Sequence, residues 1–305
     1  MRTVQWTGVY PAVTTKFTET EELDVPAFLV NLREQVAAGV KGIIIGGSLG
    51  ESSTITHEER IVLAKAALAD VGAQVDIILN VAEGSTRNAI ALVKAGQAAG
   101  VHGFMLLPPM MYKPTDQEVA DFFRTVASST DLPIILYNNP VDYKIEITLD
   151  ILDQLQDLSN VQAIKESTRD ISNVTRLRNR FGDRYKILCG VDTLAMEEIV
   201  MGADGWVAGL VCAFPRETVA IHNLVKAGRI EEARDIYRWF LPILELDINP
   251  QLVQNIKLAE VMTGIGTEPV RAPRHILVGE ERARVIGILE HGLANRPTLP
   301  AYLHL

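Results

Sequence analysis

Asp131-Leu-Pro-Ile-Ile-Leu-Tyr-Asn-Asn-Pro140 is an apolar run that stops at a phenol, and Val161-Gln-Ala-Ile-Lys-Glu-Ser167 is a second that stops at an amine. A short apolar run bounded by turn residues is the sequence form of a parallel strand buried on both faces. In α/β folds the chemistry collects at the C-terminal ends of such strands. Tyr137 and Lys165 are therefore expected to face one pocket from neighbouring strands.

The same phrase recurs outward in both directions. Towards the N-terminus, Gly8-Val-Tyr-Pro-Ala-Val-Thr-Thr15 reads as a first strand ending in hydroxyls, with Asp24 capping a helix that Gly39 closes. Gly42-Ile-Ile-Ile-Gly46 is a second strand, leading through the glycine-rich loop Gly47-Ser-Leu-Gly-Glu-Ser52 to a capping box at Thr56-His-Glu-Glu59. Val75-Asp-Ile-Ile-Leu79 and Gly103-Phe-Met-Leu-Leu107 follow, each with a helical pattern behind it. Beyond Lys165 come Tyr185-Lys-Ile-Leu-Cys189 and Gly205-Trp-Val-Ala-Gly209. Eight strand-then-helix units, spaced roughly 20 to 35 residues apart, predict a (β/α)8 TIM barrel of class α/β rather than a doubly wound sheet. Residues 1–228 are assigned to the catalytic barrel and 229–305 to a helical extension packed on it. Within the extension, Pro242 is expected to stop or kink the helix that starts at Ile230, and Arg296-Pro-Thr-Leu-Pro300 reads as a tail.

Composition narrows the partners. With 305 residues, 48% hydrophobic and 22% charged, the chain can bury a large core. A net charge of −9 without a basic concentration disfavours nucleic acid and anionic membrane surfaces. There is no signal-type h-region or long apolar span, and Cys189 and Cys212 read as inert core thiols, which fits a reducing cytoplasm. No His/Cys/Asp/Glu cluster has metal-ligand spacing, and the loop after the second strand matches no phosphate-binding pattern, so neither a metal nor another cofactor is expected.

Five strand-end positions stand out: Thr14/Thr15, Ser48, Tyr137, Lys165 and Asp192. A lysine closing an apolar strand loses hydration, which lowers its pKa and supplies the free amine a Schiff-base nucleophile needs. The competing reading is a lysine that snorkels out and pairs with Glu166 or Asp192. Tyr137 is either a proton carrier to a carbinolamine or an aromatic plug at the mouth. The Gly47 to Ser52 loop is either a carboxylate cradle, through its amides and the Ser48 hydroxyl, or a tight turn.

Taken together, Gly8–Thr15, Gly47-Ser-Leu-Gly-Glu51, Tyr137-Asn-Asn-Pro140, Ile164-Lys-Glu-Ser167 and Gly190-Val-Asp192 resemble the dihydrodipicolinate synthase / N-acetylneuraminate lyase family of class I lyases. The resemblance implies a barrel with C-terminal helices assembled as a homotetramer, a dimer of dimers. It implies that Lys165 forms the Schiff base, that Tyr137 shuttles protons with help from Ser48, and that Gly47, Ser48 and Leu49 bind the substrate carboxylate. Asn139, Asp142, Lys144 and Gly190 are the further substrate-binding candidates.

Departures from the synthases bear on substrate. Their two loop threonines are here Ser48 and Leu49, and their carboxylate-binding arginine is Asp142. Their relay tyrosine from a neighbouring subunit corresponds to Met111, with Tyr112 next to it. An acidic side chain repels a carboxylate at close range, so Asp142 argues against dihydrodipicolinate synthesis. The pattern from Tyr137 to Lys144 looks most like the 4-hydroxy-Δ1-pyrroline-2-carboxylate deaminases of hydroxyproline catabolism. The expected substrate is then that cyclic ketimine, converted to 2,5-dioxopentanoate and ammonia. The alternatives are a 2-oxo acid aldolase, a hydratase-aldolase, a sugar-acid dehydratase, the synthase itself, or a silent family barrel acting as a binding protein.

Overall fold

The computed structural model describes residues 3–305. Strands β1 (Gly8–Pro11), β2 (Gly42–Ile45), β3 (Asp76–Val81), β4 (Gly103–Leu106), β5 (Ile134–Asn138), β6 (Val161–Glu166), β7 (Lys186–Cys189) and β8 (Gly205–Ala208) form one parallel sheet in the order β1-β8-β7-β6-β5-β4-β3-β2. A parallel bridge between Ala12 and Ile44, with the Val13 N–H donating to the Ile44 carbonyl at 3.0 Å, joins the two ends and closes the barrel. Helices α1 (Val25–Ala38), α2 (His57–Asp70), α3 (Thr86–Ala99) and α4 (Asp116–Ala127) follow β1 to β4. After β5 come the short α5 (Pro140–Tyr143) and α6 (Leu149–Gln154), and α7 (Ser172–Phe181), α8 (Ala195–Val200) and α9 (Pro215–Lys226) follow the last three strands. Three more helices, α10 (Ile230–Leu244), α11 (Leu252–Met262) and α12 (Gly279–Ala294), complete the chain. No helix among the described residues is long and apolar enough to cross a membrane.

Local chemistry sets the helix starts. Thr56 and Thr115 each accept from the backbone N–H three residues on, while Glu59 and Glu118 reach back to the cap N–H, at 2.9 and 2.7 Å. Asp24 accepts from the Ala27 N–H at 3.0 Å, and Gly39, in the left-handed region at φ 97°, ends α1.

The barrel interior is filled by one side chain from each strand: Tyr10, Ile44, Ile78, Met105, Ile135, Ala163, Leu188 and Val207. Side chains alternate across a strand, so residues two further on also point inwards. Tyr137 thus stands above Ile135 and Lys165 above Ala163, and the two strands register Tyr137 directly beside Lys165. The apolar layer is the floor of the site.

Three local expectations are corrected. Strand β1 ends at Pro11, and the hydroxyls beyond it are used structurally: Thr14 Oγ1 donates to Glu260 at 2.8 Å and Thr15 Oγ1 to the Gly50 carbonyl at 2.7 Å. Pro242 does not stop α10, which runs on to Leu244; so near the C-terminal end, the missing N–H removes a single intrahelical bond. The final segment is docked rather than loose. Arg296 donates to Glu217 at 2.5 Å, and the Tyr302 carbonyl accepts from Asn223 at 3.0 Å over a buried Tyr302 ring.

Buried charge ties α11 to the loops of the mouth. Lys16 pairs with Glu260, and the Lys257 ammonium donates to Glu51 Oε1 at 2.5 Å, both pairs with fully buried side chains. Burial pulls the Lys257 amine down to about 8, with Glu51 opposing that shift. Removing one partner of a buried pair leaves the other desolvated. Glu51→Ala is expected to cost about 3–5 kcal/mol, measured as a lower urea midpoint, because the buried Lys257 loses its counter-ion, keeping only the Pro269 carbonyl, and the Arg271 N–H loses its acceptor.

Candidate active site

The strand ends converge on a cleft at the C-terminal mouth of the barrel. Lys165 closes β6 and is 7% exposed, and its Nζ lies 3.9 Å from the centroid of the Tyr137 ring. Burial lowers its pKa from the ordinary value near 10.5, opposed chiefly by Tyr143 and Asp247. Among the described residues it makes no salt bridge, and the two acids nearest it at the strand ends, Glu166 and Asp192, are committed elsewhere. Glu166 accepts from the Thr168 N–H at 2.7 Å and from Asn173 at 2.8 Å. Asp192 accepts from Trp206 Nε1 at 2.9 Å, the Leu210 N–H at 2.8 Å and the Gly209 N–H at 3.2 Å. Asp192 is thus a strut for the turn after β8. Gly190 leaves the room that Lys165 occupies: a Cβ there would lie 2.7 Å from Lys165 Cε.

Tyr137 closes β5, and burial pushes its phenol up to about 12, so it is protonated at neutral pH. Its oxygen accepts from Asn139 Nδ2 at 3.1 Å. Asn139 is held in turn as the cap of α5, its Oδ1 accepting the Asp142 N–H at 3.1 Å and its Nδ2 also donating to Asp142 Oδ2 at 2.8 Å. Asn139 lines the cleft, and its amide orients Tyr137.

Gly47, Ser48 and Leu49 lie in the loop after β2 and line the cleft. The Gly47 and Ser48 carbonyls are taken by Ser52 and Glu51 N–H groups, both at 3.1 Å. Among the described residues no acceptor takes the N–H groups of Ser48 or Leu49, the arrangement that suits an anion. The Ser48 hydroxyl is hydrogen-bonded to the phenol of Tyr143. Tyr143 packs edge-on to Tyr137, with centroids 5.6 Å apart and planes at 88°. Tyr137, Tyr143 and Ser48 therefore form a continuous row from the lysine to the Gly47–Leu49 loop.

Among the residues of this cleft that sequence reasoning passed over are Tyr143, Arg169 and Asp247. Tyr143 stood inside the quoted Tyr137–Lys144 segment, and its period from Asn139 on a one-turn helix was the available signal. Asp247 comes from the turn between α10 and α11, where nothing local marks it. The phenol beside Ser48 belongs to this chain's own Tyr143. Met111 is 81% exposed and Tyr112 53% exposed, and neither lines the cleft. Lys144 is also corrected: in the left-handed region at φ 61°, it turns its ammonium back onto the Val141 carbonyl and does not line the cleft. Asp142 does line it, at the rim, with Arg169 Nη2 3.5 Å away. The position is an ion pair with a cation available, which weakens the argument from repulsion. Cys189 and Cys212 are free and buried, and burial raises both thiols.

Residues 5–292 match the Dihydrodipicolinate synthetase family. The chain is 30% identical over 288 residues to the 4-hydroxy-tetrahydrodipicolinate synthase of Methanothrix thermoacetophila, covering 92% of this chain and 95% of that one. It is 33% identical over 248 residues to the enzyme of the same name from Idiomarina loihiensis, covering 80% and 83%. The structure of that synthase from Methylacidiphilum fumariolicum superposes with a TM-score of 0.90 at 28% identity, covering 94% and 96%. Dihydrodipicolinate synthase from Aquifex aeolicus gives 0.90 at 26% identity, covering 97% and 100%. All four of these relatives carry the synthase name, and none carries that of the hydroxypyrroline deaminases. The chain belongs to the dihydrodipicolinate synthetase family of lysine Schiff-base lyases.

Proposed function

We propose that Lys165 condenses with C2 of a 2-oxo acid whose carboxylate is held by the Ser48 and Leu49 N–H groups. The observation that carries this reading is the buried Lys165 amine, unpaired among the described residues and 3.9 Å over the Tyr137 ring. Loss of its hydration makes the neutral amine accessible, and the adjacent phenol can pass a proton to the carbinolamine oxygen so that it departs as water. The iminium then acidifies C3, and removal of a C3 proton gives an enamine. Ser48 and Tyr143 extend the proton path to the carboxylate end.

The enamine's partner is bound at the rim. The synthase reading, condensation of pyruvate with an amino-aldehyde acid, is favoured by the names of the relatives and by Arg169, which can hold a second carboxylate from a position other than Asp142. The deaminase reading, transimination of 4-hydroxy-Δ1-pyrroline-2-carboxylate followed by loss of its hydroxyl, is favoured by the two acids of the rim, Asp142 and Asp247, which suit a protonated or hydroxylated ring. Borohydride reduction of the protein with pyruvate is expected to fix a mass adduct on Lys165, and absence of an adduct would refute the Schiff-base reading. Parallel incubations with pyruvate plus aspartate semialdehyde, and with the hydroxypyrroline carboxylate, distinguish the two substrates by consumption of pyruvate or release of ammonia.

A further inference from the structure

Asp247 belongs to the helical extension, yet its carboxyl reaches the barrel mouth. It lies against the turn after β8, where a Cβ on Gly209 would be 2.5 Å from Oδ1, so only glycine leaves it this seat. It lines the same cleft as Lys165 and Tyr137, and among the described residues it takes no hydrogen bond or salt bridge from a side chain. Strand order fixes its place in the ring. β8 is two strands from β6, which carries Lys165, and three from β5, which carries Tyr137. The carboxyl and the phenol therefore approach a molecule held on Lys165 from different sides.

From this placement we infer that Asp247 is the proton donor to an oxygen on C4 of the substrate, the carbon two bonds from the Schiff-base carbon. Burial first, and then the Asp192 carboxylate, push its pKa well above the usual carboxylate range, which keeps the proton available. The inference rests on Lys165 forming the Schiff base, and it applies to both readings of the second half-reaction. In condensation, the enamine forms the C3–C4 bond to an aldehyde, the carbonyl π pair moves to oxygen, and that oxygen takes the proton of Asp247 as the iminium returns. In elimination, the enamine pair forms the C3–C4 double bond, C4–O breaks, and the oxygen leaves as water with that proton. Either way the carboxylate is reprotonated from solvent, and no other reactant is needed.

The test compares wild type with Asp247→Asn, a variant that keeps size and the neutral charge of the acid but cannot give up a proton. The probes are pyruvate, 4-hydroxy-2-oxobutanoate and 4-chloro-2-oxobutanoate. Borohydride trapping and deuterium exchange into the pyruvate methyl group report steps that precede any chemistry at C4; Asp247 is one of the charges acting on the Lys165 amine, so both are compared at the optimum of each protein's pH profile, where they are expected to persist. Consumption of the 4-hydroxy compound is expected to fall by about 10²–10⁴-fold, the worth of a general acid. Chloride release from the 4-chloro compound, whose leaving group needs no proton, is expected to persist. Equal loss on both C4 probes, or undiminished consumption of the 4-hydroxy compound, overturns the assignment. So does a wild type that exchanges pyruvate but never consumes that compound. Failure of wild type to trap pyruvate at all refutes the Lys165 reading instead.

Discussion

Lys165→Ala is expected to bring turnover to background while leaving a folded protein. The reaction proposed has no first step without the amine, because the iminium is what makes C3 acidic. The fold does not depend on this side chain in the same way. Lys165 makes no salt bridge among the described residues, and the solvation it gives up on burial is not returned by a partner. The variant is thus expected to unfold at a urea concentration no lower than wild type. The pH dependence has a definite sign. Adduct formation needs neutral amine, so its rate rises with pH through a lysine pKa below 10.5, and borohydride trapping at a series of pH values measures it. Tyr137, Tyr143, Asp192, Asp247 and Cys189 face the same amine and titrate or carry charge beside it. Stability carries the same signature. Between the lowered value and 10.5 the unfolded chain binds more protons at this residue than the folded one, so the wild type gains stability as pH rises through that window and the alanine variant does not. An alanine variant that still turned over, or that unfolded early, would refute the role assigned to this side chain.

Tyr137→Phe is expected to slow turnover by about 10²–10⁴-fold. The aromatic face beneath Lys165 Nζ survives this change, and so does the edge-on contact with Tyr143; only the hydroxyl and its bond from Asn139 are lost. With its phenol pushed up to about 12, Tyr137 is protonated at neutral pH, and in the proposed mechanism it enters the reaction as an acid. The variant should therefore still accumulate some adduct with pyruvate on long incubation, but exchange deuterium into the methyl group slowly. A phenylalanine variant with wild-type exchange would move the proton transfer to another group.

How far the site could be read in advance depended on how each residue is delivered to it. Residues at strand ends were legible, because a buried parallel strand announces itself as an apolar run and period-two alternation decides which way its last side chains point. That logic reached Lys165, Tyr137 and the Gly47–Leu49 loop. It failed for residues whose position is set by a turn. Lys144 and Tyr143 are neighbours in sequence, yet the left-handed turn at Lys144 sends one ammonium back to the Val141 carbonyl and leaves the other side chain beside Ser48. The reading of Asp142 as a bare negative charge omitted Arg169, which comes from the loop after β6. The stop expected at Pro242 and the loose tail failed for a related reason: the fates of these residues are decided by what α10 and the Glu217 carboxylate offer them.

The amino-acid sequence by itself determined the barrel, its eight strands, the caps of its helices and the lysine–tyrosine pair, because strand periodicity and local capping act over a few residues. Only the tertiary structure decided which groups share the cleft with that pair. Asp247 is 82 residues from Lys165 along the chain and has no local feature to mark it. It reaches the mouth because α10 and α11 pack against the barrel and turn there, with a glycine beneath the carboxyl to receive it. Burial and neighbouring charge, which set the proton affinities of all these groups, are properties of that packing and do not exist in the extended chain.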